Sequence, residues 1–80
     1  MLILTDHELI NTDDVSAIYF TERRAATIPG RLIARMKDGK EYTMKTIHNK
    51  NFNIYAYLRD IAAAQNEGLA VYNISEMELP

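Results

Sequence analysis

Apolar and polar residues alternate with a period of two along Arg31–Lys37 and again along Glu41–Ile47, the mark of half-buried strands. Leu32, Ala34 and Met36 share one face of the first strand, and Tyr42 and Met44 share one face of the second. That parity selects the turn between them. A two-residue loop at Asp38-Gly39 would set Tyr42 and Met44 opposite Arg35 and Ile33, leaving the two apolar faces on opposite sides of the sheet. A three-residue loop, Lys37-Asp38-Gly39, instead pairs Ala34 with Tyr42, Leu32 with Met44 and Arg35 with Glu41. It also puts Gly39 at the left-handed position of a type I turn with a G1 bulge.

The remaining pattern predicts short strands at 2–4 and 8–11, joined by a turn at Thr5–Glu8 and followed by a polar turn at Asn11–Asp14. Val15 to Glu22 reads as a strand with apolar residues on both faces. Either a central strand or a bulge after Val15 accounts for that. A longer connection runs from Arg23 to Gly30, with the next strand starting near Arg31 because Pro29 lacks a ladder donor. From Phe52 to Glu67 the period is helical. Asn51 is the chosen N-cap, Ile54, Leu58, Ile61 and Ala62 form the apolar stripe, and Gly68 stands at the C′ position. Tyr57 and Ala56 fall off that stripe. Leu69–Ile74 is apolar enough for a final strand, and the acidic residues after it are expected to fray. The expected fold is α+β: an antiparallel meander of about four to six short strands, one helix across one face and a last strand, in a single domain over residues 1–80. One helix covers one face only. The other face is expected to carry Ile33 with Tyr19 or Val15, and Ile47 is a further candidate for it.

Composition narrows the function classes. The chain has 80 residues, 48% hydrophobic and 25% charged, close to a globular average. Its net charge of −2 argues against a protein that holds nucleic acid by bulk positive charge. With no cysteine there is no disulfide, no thiolate metal site and no cysteine nucleophile. Leu2-Ile3-Leu4 is too short for a signal-peptide core, and no run approaches the roughly 20 apolar residues of a membrane span. The expected address is the cytoplasm, with no membrane partner. So small a domain has a thin core, which makes self-association a natural expectation.

The segment Leu9-Ile10-Asn11-Thr12-Asp13-Asp14-Val15-Ser16-Ala17-Ile18-Tyr19, followed later by Met36-Lys37-Asp38-Gly39-Lys40-Glu41-Tyr42, resembles two groups of small bacterial domains. One is a set of small cytoplasmic or phage-associated β-meander-plus-helix proteins, to which the flagellar FlbD-type proteins are similar. The other, more distant, is the LytTR DNA-binding domain, which has a comparable hairpin. The resemblance covers residues 9–20 and 32–62. A LytTR domain is longer and basic, whereas this chain is acidic. The likeness therefore implies an architecture and carries over no functional residue.

Candidate chemistry is sparse. Asp6, Glu8, Asp13 and Asp14, with His7 among them, match no EF-hand spacing and read as turn chemistry. His7 and His48 are two imidazoles where zinc needs three or four ligands. Ser16 and Ser75 sit in no nucleophile elbow, and Gly30, Gly39 and Gly68 are too far apart for a phosphate loop. No cofactor or metal is implied and no catalytic set is visible, so the expectation is a protein without enzymatic activity. What remains is binding. Arg23, Arg24, Arg31 and Arg35 could share a basic face with Lys37 and Lys45 beside them, diluted by Glu22 and Glu41. The loop Ala25–Pro29 is small and apolar, the kind of loop that often carries binding. The partner-binding candidates are thus Arg23, Arg24, Ile28, Pro29, Arg31, Ile33, Arg35 and Tyr57. The expected function is a non-catalytic interaction or accessory module, self-associating as a dimer or binding a protein partner. The alternative is a regulatory nucleic-acid-binding protein that uses the arginine-bearing sheet face.

Overall fold

The structure is a computed structural model that describes residues 1–21, 29–48 and 53–75. Its strands are β1 (Leu2–Leu4), β2 (Leu9–Asn11), β3 (Val15–Thr21), β4 (Gly30–Met36), β5 (Glu41–Ile47) and β6 (Val71–Asn73). A 3₁₀ turn at Thr12–Asp14 joins β2 to β3, and helix α1 (Ile54–Asn66) lies between β5 and β6. The architecture is α+β as expected. The strands fall into two three-stranded sheets, ordered β2-β1-β6 and β3-β4-β5. The last strand does not extend the meander but returns to lie parallel to β1, with Leu2 beside Val71 and Leu4 beside Asn73.

The β4–β5 hairpin has the expected three-residue loop. Arg35 pairs with Glu41 and Ala34 with Tyr42, and Gly39 takes φ +92°. Its N–H bonds the Met36 carbonyl at 3.0 Å, and the Asp38 carboxylate accepts from the Lys40 N–H at 2.9 Å. One pairing differs. Beyond Ile33↔Thr43 the register shifts, so Leu32 pairs with Lys45 rather than Met44, and Gly30 pairs with Ile47. Met44 is the extra residue of a bulge, which turns Lys45 and Ile47 to the face of Leu32. Ile47 is buried there instead of lying on the opposite face. The Lys45 ammonium leaves the outer face and donates to the carbonyls of Ile74 (3.4 Å) and Ser75 (3.5 Å).

A second bulge lies in β3, where the register jumps between Val15↔Met36 and Ala17↔Arg35. The bulge explanation for the two-faced apolar pattern of this strand is therefore the right one, because β3 is an edge strand. The shift lets Val15, Ile18 and Phe20 all pack against the core while Ala17, Tyr19 and Thr21 face outward. Gly30 follows from the same packing. A Cβ built there would stand 2.5 Å from the Phe20 ring, so the ring occupies the space a side chain would need.

Helix α1 closes the core. Its N-cap is Asn53, whose side chain accepts from the N–H groups of Tyr55 (3.0 Å) and Ala56 (3.4 Å); Asn51, the cap expected from sequence, lies outside the described residues. Gly68 at φ +76° ends the helix, with its N–H on the Gln65 carbonyl and the Leu69 N–H on that of Ala64, a Schellman closure. The buried stripe is Tyr57, Ile61 and Ala64, with Ile54 and Leu58 half-buried at its side. Tyr57 is therefore core rather than surface, and Ala62 is exposed rather than core. These helix residues share one core cluster with Ile3, Ile10, Tyr72 and Ile74 and with Leu32, Ala34 and Met44. The Tyr72 hydroxyl donates to the Asp60 carboxylate at 2.5 Å and ties β6 to the helix that precedes it.

Candidate functional site

Pairing across β3-β4-β5 sets three rows on the outer face: Ala17, Arg35 and Glu41; Tyr19, Ile33 and Thr43; Thr21, Arg31 and Thr46. Of the expected partner-binding residues, Arg31, Ile33 and Arg35 come together here. Arg23, Arg24 and Ile28 lie outside the described residues, as does the loop they belong to apart from Pro29, which is half-buried just before β4. Tyr57 is on the other side of the sheet, in the core.

The chemistry of this face is largely satisfied from within. The Tyr19 hydroxyl donates to the Glu41 carboxylate, and the bond to that anion holds the phenol above its usual pKa near 10. The Arg35 guanidinium lies 5.0 Å from the Tyr19 ring centroid, in cation–π range, and its Nε is 3.9 Å from Glu41. One acid thus engages the phenol and the nearer arginine together. Ile33 is not a protruding contact. It is 5% exposed and floors a depression of about 200 Å³ between Tyr19, Arg31 and Thr43. Lys45 has been turned away by the Met44 bulge. Arg31 is then the one cation on this face, among the described residues, without an acidic partner. That is little for a phosphate backbone to bind.

The outer face of β2-β1-β6 is of the opposite kind. Ile3, Ile10 and Tyr72 form its inward row, which leaves Leu2, Leu4, Leu9, Asn11, Val71 and Asn73 outward. Leu4, Leu9 and Val71 are exposed, and so is Leu69 just before β6. Among the described residues, none on this face is charged. Even its amides are engaged locally, Asn11 accepting from the Asp13 N–H at 3.0 Å and Asn73 from the Ser75 hydroxyl at 2.6 Å. Of the large apolar residues exposed among the described residues, only Tyr55 on α1 belongs elsewhere. The patch is not among the candidates expected from sequence. Its signal was the unbroken run Leu2-Ile3-Leu4: a strand with one face in a core needs only every second residue apolar.

The acidic residues and histidines do not converge. Among the described residues no three of His, Asp or Glu group as metal ligands would. Asp6 and His7 sit in the β1–β2 turn, where the buried Thr5 hydroxyl accepts from the N–H groups of His7 and Glu8. No helix among the described residues is long and apolar enough to cross a membrane. Comparison with family models, curated proteins and solved structures finds no match for the chain.

Proposed function

We propose that the protein is a non-catalytic interaction module that self-associates through the outer face of the β2-β1-β6 sheet. The observation that carries this reading is the uncharged cluster of Leu4, Leu9 and Val71 on one face, extended by Leu69. Exposed apolar side chains gathered on a single face mark contact surfaces more often than isolated ones do. Among the described residues the face carries no charge of either sign, which offers nothing to an acidic or basic partner. Placed against its own copy about a two-fold axis, it buries leucine against leucine and brings no like charges together. A cytoplasmic accessory role fits this reading, as does the likeness to small bacterial β-meander proteins.

Size sets the strength. Three strands of three residues span about 10 Å by 14 Å, far below the roughly 800 Å² per partner of a standard interface. The dimer is therefore weak and forms by mass action. Sedimentation velocity over a wide concentration range should show a monomer that becomes a dimer as concentration rises. Leu9→Lys should keep the chain monomeric throughout, while its own stability changes by no more than about 0.5 kcal/mol, as at other exposed positions. A wild-type chain that stays monomeric at high concentration, or a Leu9→Lys chain that dimerises equally well, refutes the reading.

A further inference from the structure

Next to the depression floored by Ile33 lies a larger hollow of about 500 Å³, with Arg31 and Thr43 common to both. Arg31, Thr43 and Thr46 wall it from β4 and β5, His48 from just past β5, and Asp6 and His7 from the β1–β2 turn. The two sheets thus contribute to one concavity. The fold holds its parts in place. Arg31 pairs with Thr46 across the ladder, and the Thr5 hydroxyl pins the turn by accepting from the N–H groups of His7 and Glu8.

The chain as a whole has two more acids than bases, but here the balance is reversed. Arg31 and Lys45 stand against a single carboxylate, Asp6, while the imidazoles of His7 and His48 are neutral or positive. Among the described residues no acid, Asp6 included, comes within ion-pair distance of Arg31. The Lys45 ammonium donates to two carbonyls, which are neutral, so its charge is not cancelled. Asp6, His7 and His48 do not group closely enough to share a metal ion.

We propose that this hollow binds a small phosphate monoester by its phosphate group, with Arg31 as the principal contact. A guanidinium fork matches two phosphate oxygens. The Thr43 and Thr46 hydroxyls and the imidazoles supply donors from other directions, which a tetrahedral group uses better than a planar carboxylate does. One arginine without an acidic partner is little for a run of phosphates but enough for a single group. The volume falls within the roughly 300–1,000 Å³ of small-molecule sites and leaves room for a hydroxylated remainder. Asp6 opposes any anion and limits the affinity. The site does not depend on self-association, since none of the exposed Leu4, Leu9, Leu69 and Val71 lines it.

The test is titration of the ¹⁵N-labelled chain with ribose 5-phosphate at about 0.1 M salt, followed by amide chemical shifts. Saturable shifts should appear at His7 and Thr46 together, and ribose at the same concentrations should give none. Arg31→Gln, at an exposed position, should weaken binding at least about tenfold, and Asp6→Asn should tighten it. Lys40→Gln removes one positive charge roughly 20 Å along β5 from Thr46, beyond the screening length of about 10 Å. It should leave the affinity within about twofold. The spectrum of each variant reports that it is folded. The proposal falls if no saturable shift is seen, if the shifts spare His7 and Thr46, or if ribose binds as well. It falls also if Lys40→Gln weakens binding as much as Arg31→Gln, which would mark attraction to net charge alone. Weaker binding by Asp6→Asn would overturn it too, for the hollow would then hold a cationic group.

Discussion

The two sheets present outer faces of opposite chemistry. On β3-β4-β5 the outward residues answer one another: Glu41 holds Tyr19 and faces Arg35, Arg35 lies over the Tyr19 ring, and Ile33 is sunk beneath them. On β2-β1-β6 nothing among the described residues answers the outward leucines. The difference separates two ways of finishing a sheet that has, among the described residues, one α-helix to cover it. A face can be closed by its own long polar side chains, whose stems cover apolar surface while their heads stay in water. Or it can be left for another surface to close. Arg35, which draws attention in the sequence, belongs to the first kind, and the leucines that look like ordinary strand residues belong to the second.

The sharpest break of this comparison is at Ile33. If that face is closed from within, Ile33→Ala should cost about 2–4 kcal/mol, as for a buried isoleucine, and leave self-association per folded chain unchanged. Urea denaturation measures the first and sedimentation the second. A loss below about 0.5 kcal/mol, the size expected at an exposed site, would make the two faces alike. Next in size is Gly30→Ala. The added Cβ meets the Phe20 ring, which must shift within a packed core, so a loss of about 1–3 kcal/mol is expected. Because both sheets share one core, fluorescence and far-ultraviolet transitions should move together. Transitions that separate would show the sheets unfolding independently.

Alkaline pH reaches the inward side of the uncharged sheet. Burial, with the Asp60 carboxylate next in weight, holds the Tyr72 phenol well above its ordinary value near 10. In the unfolded chain it ionises near that value. The stability it contributes is therefore complete below about pH 10 and declines as pH rises beyond it. Tyr72→Phe should flatten that alkaline decline, and an unchanged slope would discount the buried phenol. The smallest effect is expected at Arg35→Ala. Its ion pair with Glu41 is long and solvent-exposed, so the loss should stay within about 1 kcal/mol, and added salt should shrink it further.

How much of this was legible depends on contrast along the chain. The hairpin at Lys37–Gly39 follows from parity alone, because regular alternation on both sides leaves one loop length consistent. The two bulges carry a shared mark, an apolar spacing of three where two is the rule: Val15 to Ile18, and Met44 to Ile47. The first is noticeable because apolar residues crowd both faces of β3. The second hides behind Tyr42 and Met44, which alternate correctly up to the bulge itself, so Lys45 and Ile47 are assigned to the wrong face. In the helix, the Ala62-Ala63-Ala64 run has no hydrophobic contrast to fix the phase of the stripe, and Tyr57 falls off the stripe drawn through Leu58 and Ala62. The stripe is then centred on Leu58 and Ala62 instead of Tyr57, Ile61 and Ala64. The leucine face of β2-β1-β6 was illegible for a related reason. Three-residue strands are too short to show a period, and β6 joins them by a parallel return that no local pattern announces.

That parallel return has a mechanical consequence. β1 and β6 run in the same direction, with the Leu2 N–H on the Ala70 carbonyl at 2.9 Å and the Ile74 N–H on the Leu4 carbonyl at 3.0 Å. Tension applied between residue 2 and residue 73 pulls these neighbours past each other along their length. Their hydrogen bonds are then loaded in shear, and they must fail together instead of unzipping one at a time. The short ladder between the first and last strands is thus the clamp of the fold, and resistance to stretching is set there before any other strand bears load.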